Sequence, residues 1–204
     1  FGDYQERYTT KDGDRVRSYY VGFRTDKFEE VEEDDEPEIV TKPEIGYFTC
    51  EDSIFDKCCS DCPAQLATEQ GTPMYKWDNV RTTLKSINTK ELHYVKVPEN
   101  HIVIDFDIPD ENGDKCLERN LEAASKWPPT YGEYSKSGQG VHLHYIYSGD
   151  PKKLSSIYSD HIEVKVYTGK SSLRRKLSKC NGLPIATISS GLPLKGEDKV
   201  VNFD

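Results

Sequence analysis

Three stretches of this chain alternate apolar and polar residues with the two-residue period of a half-buried β-strand. In residues 101–108 (HIVIDFDI), Ile102, Ile104, Phe106 and Ile108 fall on one face, and Val103, Asp105 and Asp107 on the other. In 141–147 (VHLHYIY), Val141, Leu143 and Tyr145 oppose His142 and His144. In 162–166 (IEVKV), Ile162, Val164 and Val166 oppose Glu163 and Lys165. Strands greasy on one face need cover on that face only. The pattern therefore specifies an α+β fold: an antiparallel or mixed sheet with helices on one face and an open opposite face. If the strands are neighbours, that open face gathers three carboxylates, two imidazoles and a lysine.

The segments between them fit this plan. Residues 115–127 carry a helical stripe of Leu117, Leu121 and Ala124, stopped by Pro128 and Pro129. Further strands are expected at 92–97 and 131–134, a short helix at 76–87 and a helical turn at 152–158. A short aromatic strand at 19–23 is the one element assigned near the start. The chain divides into an acidic, polar region (1–47), a cysteine-containing region (48–90) and a core (91–204). The whole net charge of −9 falls within residues 1–60, much of it in EEVEEDDEPE at 29–38. Between Glu163 and Glu197, by contrast, there are bases and no acid. A basic stretch of that kind can bind a polyanion locally whatever the overall charge.

The polar positions suit one kind of chemistry. Asp105 and Asp107 project from a strand side by side, about 6–7 Å apart at the backbone, as hard oxygen donors for Mg²⁺ or Mn²⁺. Glu163 would complete a two-metal clamp able to activate a hydroxyl and stabilise a pyrophosphate leaving group. The simplest alternative is the solvated side of an ordinary strand. Ser137-Gly138-Gln139-Gly140-Val141-His142 shifts the balance. Its glycines free the backbone to wrap phosphate oxygens with N–H groups, while Ser137 and His142 offer side-chain donors. A hairpin turn is the bland reading of that loop.

VIDFD, SKSGQGVHLHY and HIEVKV, in that order, resemble the three motifs of the archaeo-eukaryotic primase superfamily, in particular phage and plasmid primase-polymerases. The resemblance runs from about residue 92 to 194. It implies an RRM-like catalytic core and template-directed nucleotidyl transfer with two divalent metals, Mg²⁺ or Mn²⁺. On that resemblance Asp105, Asp107 and Glu163 hold the metals, Glu163 standing where many relatives have Asp. Ser137, Gly138, Gly140 and His142 serve the incoming nucleotide, and Lys165, Arg174 and Arg175 hold triphosphate or template. The implied partners are a single-stranded DNA template and nucleoside triphosphates, with a helicase in a longer parent chain or in trans.

Two other classes compete. His142-Leu143-His144 and Tyr167-Thr168-Gly169-Lys170 also match HUH-type replication-initiator endonucleases, in which histidines bind a metal and a tyrosine attacks DNA. There His144 would be a ligand and Tyr167 the nucleophile. On the polymerase reading, His144 packs beside the site and Tyr167 is a surface aromatic. A non-enzymatic RRM-type RNA binder would carry aromatics on the open face, where this sequence has acids.

Cys50, Cys58, Cys59 and Cys62 could hold Zn²⁺, since Cys59 and Cys62 have knuckle spacing. Three of them with Cys116, Cys180 or His93 is an equal alternative, and ordinary reduced cysteines a third. Six cysteines with no charged-then-apolar leader point to a reducing cytoplasm, bacterial or host. No apolar run approaches the roughly 20 residues of a membrane helix. The chain begins at Phe1 and stops abruptly at Asp204, as an excised piece would.

Overall fold

A computed structural model describes residues 46–196. The strand expected at 19–23 and the acidic block at 29–38 lie outside the described residues. Their order is α1 (Ile54–Cys58), β1 (Ala64–Leu66), β2 (His93–Val95), β3 (His101–Phe106), α2 (Leu117–Ser125), β4 (Gly132–Tyr134), β5 (Val141–Tyr147), β6 (Ile157–Ser159), β7 (Ile162–Val166), β8 (Leu173–Arg175) and β9 (Ala186–Ile188). The fold is α+β and mostly sheet, and none of these helices is long and apolar enough to cross a membrane.

The main sheet has six strands: five in the order β4-β5-β3-β7-β6, and β9, which pairs parallel with residues 145–147 of β5 while β4 pairs with residues 141–143; the other pairs are antiparallel. The three alternating stretches are thus its three central neighbours. Burial of Ile102, Ile104, Phe106, Val141, Leu143, Tyr145 and Val164 against Leu121, Ala124 and Trp127 of the α2 segment makes the first core. A one-residue slip of any strand would put these apolar side chains in water, so the cover from α2 fixes the register.

The opposite face is only half open. A smaller antiparallel sheet, β1-β2-β8, and helix α1 lie over it. Phe55, Val95, Tyr131, Tyr167 and Leu173 pack there against Val103, which is fully buried. This second sheet takes strands from both sides of residue 90, with β2 paired to β1 on one side and to β8 on the other.

Two other local expectations change. Instead of a helix over 76–87 there are two single 3-10 turns, Trp77–Asn79 and Leu84–Ser86. Between them the Thr82 carbonyl accepts from Ala64 N–H, and Thr83 bridges to Pro63. The helical turn at 152–158 shrinks to Pro151–Lys153, and Ile157–Ser159 instead becomes an edge strand on β7. Tertiary pairing overrode local pattern in both cases.

Arg175 of β8 joins the small sheet and α1 to β4 of the main sheet. Its side chain is buried, with Nε 2.8 and 2.9 Å from the carboxylate oxygens of buried Glu133 on β4. Nη1 donates to Asp56 at 2.6 Å, Nη2 donates to Ser53 at 3.1 Å, and the guanidinium stacks over Phe55 at 4.5 Å. Tyr131 adds a hydroxyl to Glu133 at 2.8 Å. Burial alone would raise the Glu133 carboxyl, but the Arg175 charge, with help from His144, holds it well below its usual value. Removing one partner leaves a buried charge uncompensated. Arg175→Met is therefore expected to cost about 3–5 kcal/mol in a urea melt.

His101 and His144 lie under the same cover, Nε2 of one 3.0 Å from Nδ1 of the other. Burial, then the neighbouring His144, holds His101 down to about 3 against 6.5 in the unfolded chain. The unfolded state therefore binds the extra proton, and stability is complete above about pH 6.5 and drains as pH falls toward 3. The slope is at most about 1.4 kcal/mol per pH unit for such a group. A thermal melt followed from pH 7 to 4 should show that fall, and His101→Asn should flatten it.

Candidate active site

Strand register brings the sequence motifs into one row. On β3, Asp105 stands directly opposite His142 of β5 on one side and Glu163 of β7 on the other. Cross-strand pairs on one face lie within about 5 Å at Cβ, so motif residues far apart in sequence become contacts. His142 Nε2 is 3.2 Å from Asp105 Oδ1, and Lys165 Nζ 3.8 Å from Asp105 Oδ2 and in contact with Glu163. Asp107 follows just beyond the strand, its N–H held by the His161 carbonyl, and its carboxylate pairs with Lys115 at 2.5 Å. The row lies where the second core stops: Val103, one step inward, is sealed, and Asp105 keeps a quarter of its side chain exposed. Burial pushes the Asp105 carboxyl up, but the His142 hydrogen bond and the charges of His142, Lys165 and Lys115 outweigh it and lower the pKa. It is an ionised, half-dry carboxylate.

Asp105, Asp107 and Lys165 form a ridge between two hollows. The larger, about 610 Å³, is bounded by Lys115, Lys136, Ser137, His142 and Arg174 and so is predominantly cationic. The smaller, about 420 Å³, is bounded by Ser159, Asp160, His161 and Glu163 and so is acidic. One hollow suits a polyanion and the other a cation.

For a hard divalent cation the donor chemistry fits, since Asp105 and Asp107 supply carboxylate oxygens on the ridge and Glu163 supplies another from the smaller hollow beside it. The arrangement is not preformed. Among the described residues, no three His, Cys, Asp or Glu side chains converge on one point. Each carboxylate is instead engaged by a basic side chain, which a cation would have to displace.

The loop at 135–140 differs from the expected phosphate nest. The N–H groups of Gly138, Gln139 and Gly140 are used inside the loop, bonding to Ser135 O, Ser137 Oγ and Ser135 Oγ at 2.9, 3.3 and 3.0 Å. The glycines are needed for shape. Gly138 has φ +78°, and a Cβ on Gly140 would lie 3.0 Å from the Phe106 carbonyl. What this loop offers the larger hollow is the hydroxyls of Ser135 and Ser137 and the ammonium of Lys136.

Arg175, expected at the nucleotide with Arg174, is a correction. Alternation along β8 turns Arg174 outward to the larger hollow and Arg175 inward to Glu133. Two adjacent arginines on a strand cannot share a face. Tyr167 is likewise no surface aromatic. It is 8% exposed, and burial raises its hydroxyl pKa, both unfavourable to a nucleophile. His144 is fully buried against His101 and Phe55, so of the His142/His144 pair only His142 reaches the ridge.

The cysteines separate. Cys50 pairs through its backbone with Cys180 of the second core, Cys59 is buried beside Cys62, and Cys58 faces solvent. Burial, then the neighbouring Cys62, pushes the Cys59 thiol up to about 12. No three of these thiols converge on one point.

Asn120 carries no motif signal, yet it holds the site together. It is fully buried on α2, accepts from Ile108 N–H at 2.8 Å and donates to the Gln139 carbonyl at 2.8 Å. It thereby ties the end of the Asp105–Asp107 segment to the serine-glycine loop. The only hint in the sequence is a polar residue one turn from Leu117 and Ala124 on the apolar stripe. Asn120→Ala strands both backbone groups and should lower stability by about 1–3 kcal/mol. Arg174→Ala, with its side chain in solvent, should leave the melting temperature within a degree or two, in contrast to Arg175 variants. Differential scanning fluorimetry of the three variants checks this. Compared with known proteins, the chain matches no family model and no curated protein.

Proposed function

We propose that this chain is a template-directed nucleotidyltransferase of the primase-polymerase kind, built on an RRM-like sheet and acting on single-stranded nucleic acid. One observation carries the proposal: β5, β3 and β7 align His142, Asp105 and Glu163 in one row, uniting the three motifs that resemble the primase superfamily. The cationic hollow beside that row suits a triphosphate. Lys136, Ser137, His142 and Arg174 would bind and orient its oxygens, and Lys165 would balance charge at the ridge. Asp105, Asp107 and Glu163 would hold divalent Mg²⁺ or Mn²⁺, which when bound supplies activation of the attacking hydroxyl and charge neutralisation at the leaving pyrophosphate. Half-burial of Asp105 strengthens every charge interaction there relative to open solvent. The proposed setting is cytoplasmic replication, with a single-stranded DNA template and a helicase as partners.

Incubation with a single-stranded template, labelled nucleotides and Mn²⁺, with and without primer, tests this reading. Asp105→Asn should eliminate incorporation while the melting temperature holds. His142→Ala should raise the nucleotide KM more than it weakens template binding. Tyr167→Phe should retain incorporation and show no protein–DNA adduct on a denaturing gel. A Tyr167-dependent covalent adduct formed without nucleotides would instead establish the endonuclease chemistry.

A further inference from the structure

Residues 68–77 fold over the outer face of the small sheet and are pinned there. Gln65, although it points outward from β1, is buried beneath this loop. Its side-chain amide donates to the Tyr75 carbonyl at 3.0 Å and accepts from the Tyr75 N–H at 2.6 Å. Tyr94 of β2, next in the same cross-strand row, donates its hydroxyl to the Gly71 carbonyl at 2.6 Å. Thr68 and Thr72 close the turn through backbone and hydroxyl bonds. This backbone is fixed, yet its side chains point away from the protein. Tyr75 is 61% exposed and Met74 51%, among the few large apolar side chains of the described residues left in water. Trp77 follows, half-buried, with the Lys96 ammonium 6.0 Å from its ring centroid.

Holding an aromatic side chain in solvent on a rigid backbone forgoes its burial without gaining freedom, which calls for a partner. The charge pattern identifies the kind. Lys76 lies between Tyr75 and Trp77, Lys96 sits near Trp77 with its ammonium donated to the Gly169 and Ser171 carbonyls, and Arg174 adds a third base against the acids Glu69 and Asp78. Arg174 completes the row Gln65-Tyr94-Arg174 and passes so close to Gly71 that a Cβ there would lie 3.0 Å from its guanidinium. The same Arg174 borders the cationic hollow beside Asp105. The loop and the candidate site are therefore adjoining parts of one surface.

We infer that the 74–77 loop is a stacking platform for single-stranded nucleic acid, on which bases rest against Tyr75 and Trp77 while Lys76 and Arg174 meet the phosphates leading to the Asp105 ridge. The inference builds on the proposed nucleic-acid function of that ridge. Stacking on an exposed ring is tolerant of sequence, because every base offers a π-face, and alanine substitution of such a ring typically costs about 1–3 kcal/mol per base.

The test is fluorescence anisotropy of a labelled oligothymidylate with the full chain, beside intrinsic tryptophan emission. Trp127 is buried, so quenching on titration reports Trp77. Tyr75→Ala, which leaves the Gln65 clamp on the backbone intact, should weaken binding by roughly 5- to 100-fold at both low and high salt. Tyr75→Phe should bind as the unaltered chain does. Arg174→Ala should instead flatten the salt dependence. Equal affinity of Tyr75→Ala and the unaltered chain, binding with no quenching of Trp77, or no oligonucleotide binding at all would overturn the platform. The first of these would leave the loop to a protein partner. The two readings fail separately. Oligonucleotide bound through Tyr75 without any nucleotide incorporation would defeat the polymerase proposal alone. Incorporation with Tyr75→Ala binding unimpaired would defeat the platform alone.

Discussion

The buried pair of Arg175 and Glu133 is the constraint on which the remaining architecture depends. Both side chains are removed from water, at a desolvation cost of several kcal/mol per ion, so the pair survives only with its hydrogen-bond capacity filled. Asp56, Ser53 and Tyr131 fill it, and these residues come from α1 and from the approach to β4. Satisfying one guanidinium thus fixes a helix, a strand of the small sheet and an edge strand of the main sheet in one geometry. A purely apolar contact could slide; a multidentate ion pair cannot without stranding a charge.

That geometry decides where the main sheet is covered and where it stays open. The small sheet and α1 seal Val103, His101 and His144, and stop one residue short of Asp105. A carboxylate at such an edge is dry enough to feel Lys165, Lys115 and His142 strongly and wet enough to exchange partners. Asp105 is therefore ionised but not locked into a structural role, in contrast to Glu133, which sits opposite the same His142 and is fully committed. Two acids in one cross-strand row are separated in function by how far the cover reaches.

The small sheet also orders the approach to the ridge. Its inward rows carry Val95, His93, Leu173 and Arg175, while its outward row carries Gln65, Tyr94 and Arg174. Anchoring Arg175 is what aims Arg174 the other way, and Gln65 and Tyr94 use the outward row to pin the loop bearing Tyr75. Stability and surface chemistry are thus read from alternate residues of the same strands.

What the sequence determined by itself was the period-two pattern and its consequences. The strands at 101–106, 141–147 and 162–166, the helix ended by Pro128, the apolar face and the polar identities of Asp105, His142 and Glu163 were legible, because alternation and proline are local signals. Tertiary structure alone decided which polar positions stay accessible and which are buried and committed to partners. Nothing local distinguishes Arg174 from Arg175, His142 from His144, or Gln65 from any solvated glutamine. Each is separated from its lookalike by a covering layer assembled from segments remote in the chain. The same holds for the loop at 135–140, whose glycines suggested free amides although Gly138 N–H bonds to the Ser135 carbonyl and Gly140 N–H to the Ser135 hydroxyl. Asn120 was silent because its two bonds join segments on either side of it. Burial and hydrogen-bond partnership are properties of three-dimensional neighbours, and a one-dimensional pattern records only which residues are able to have them.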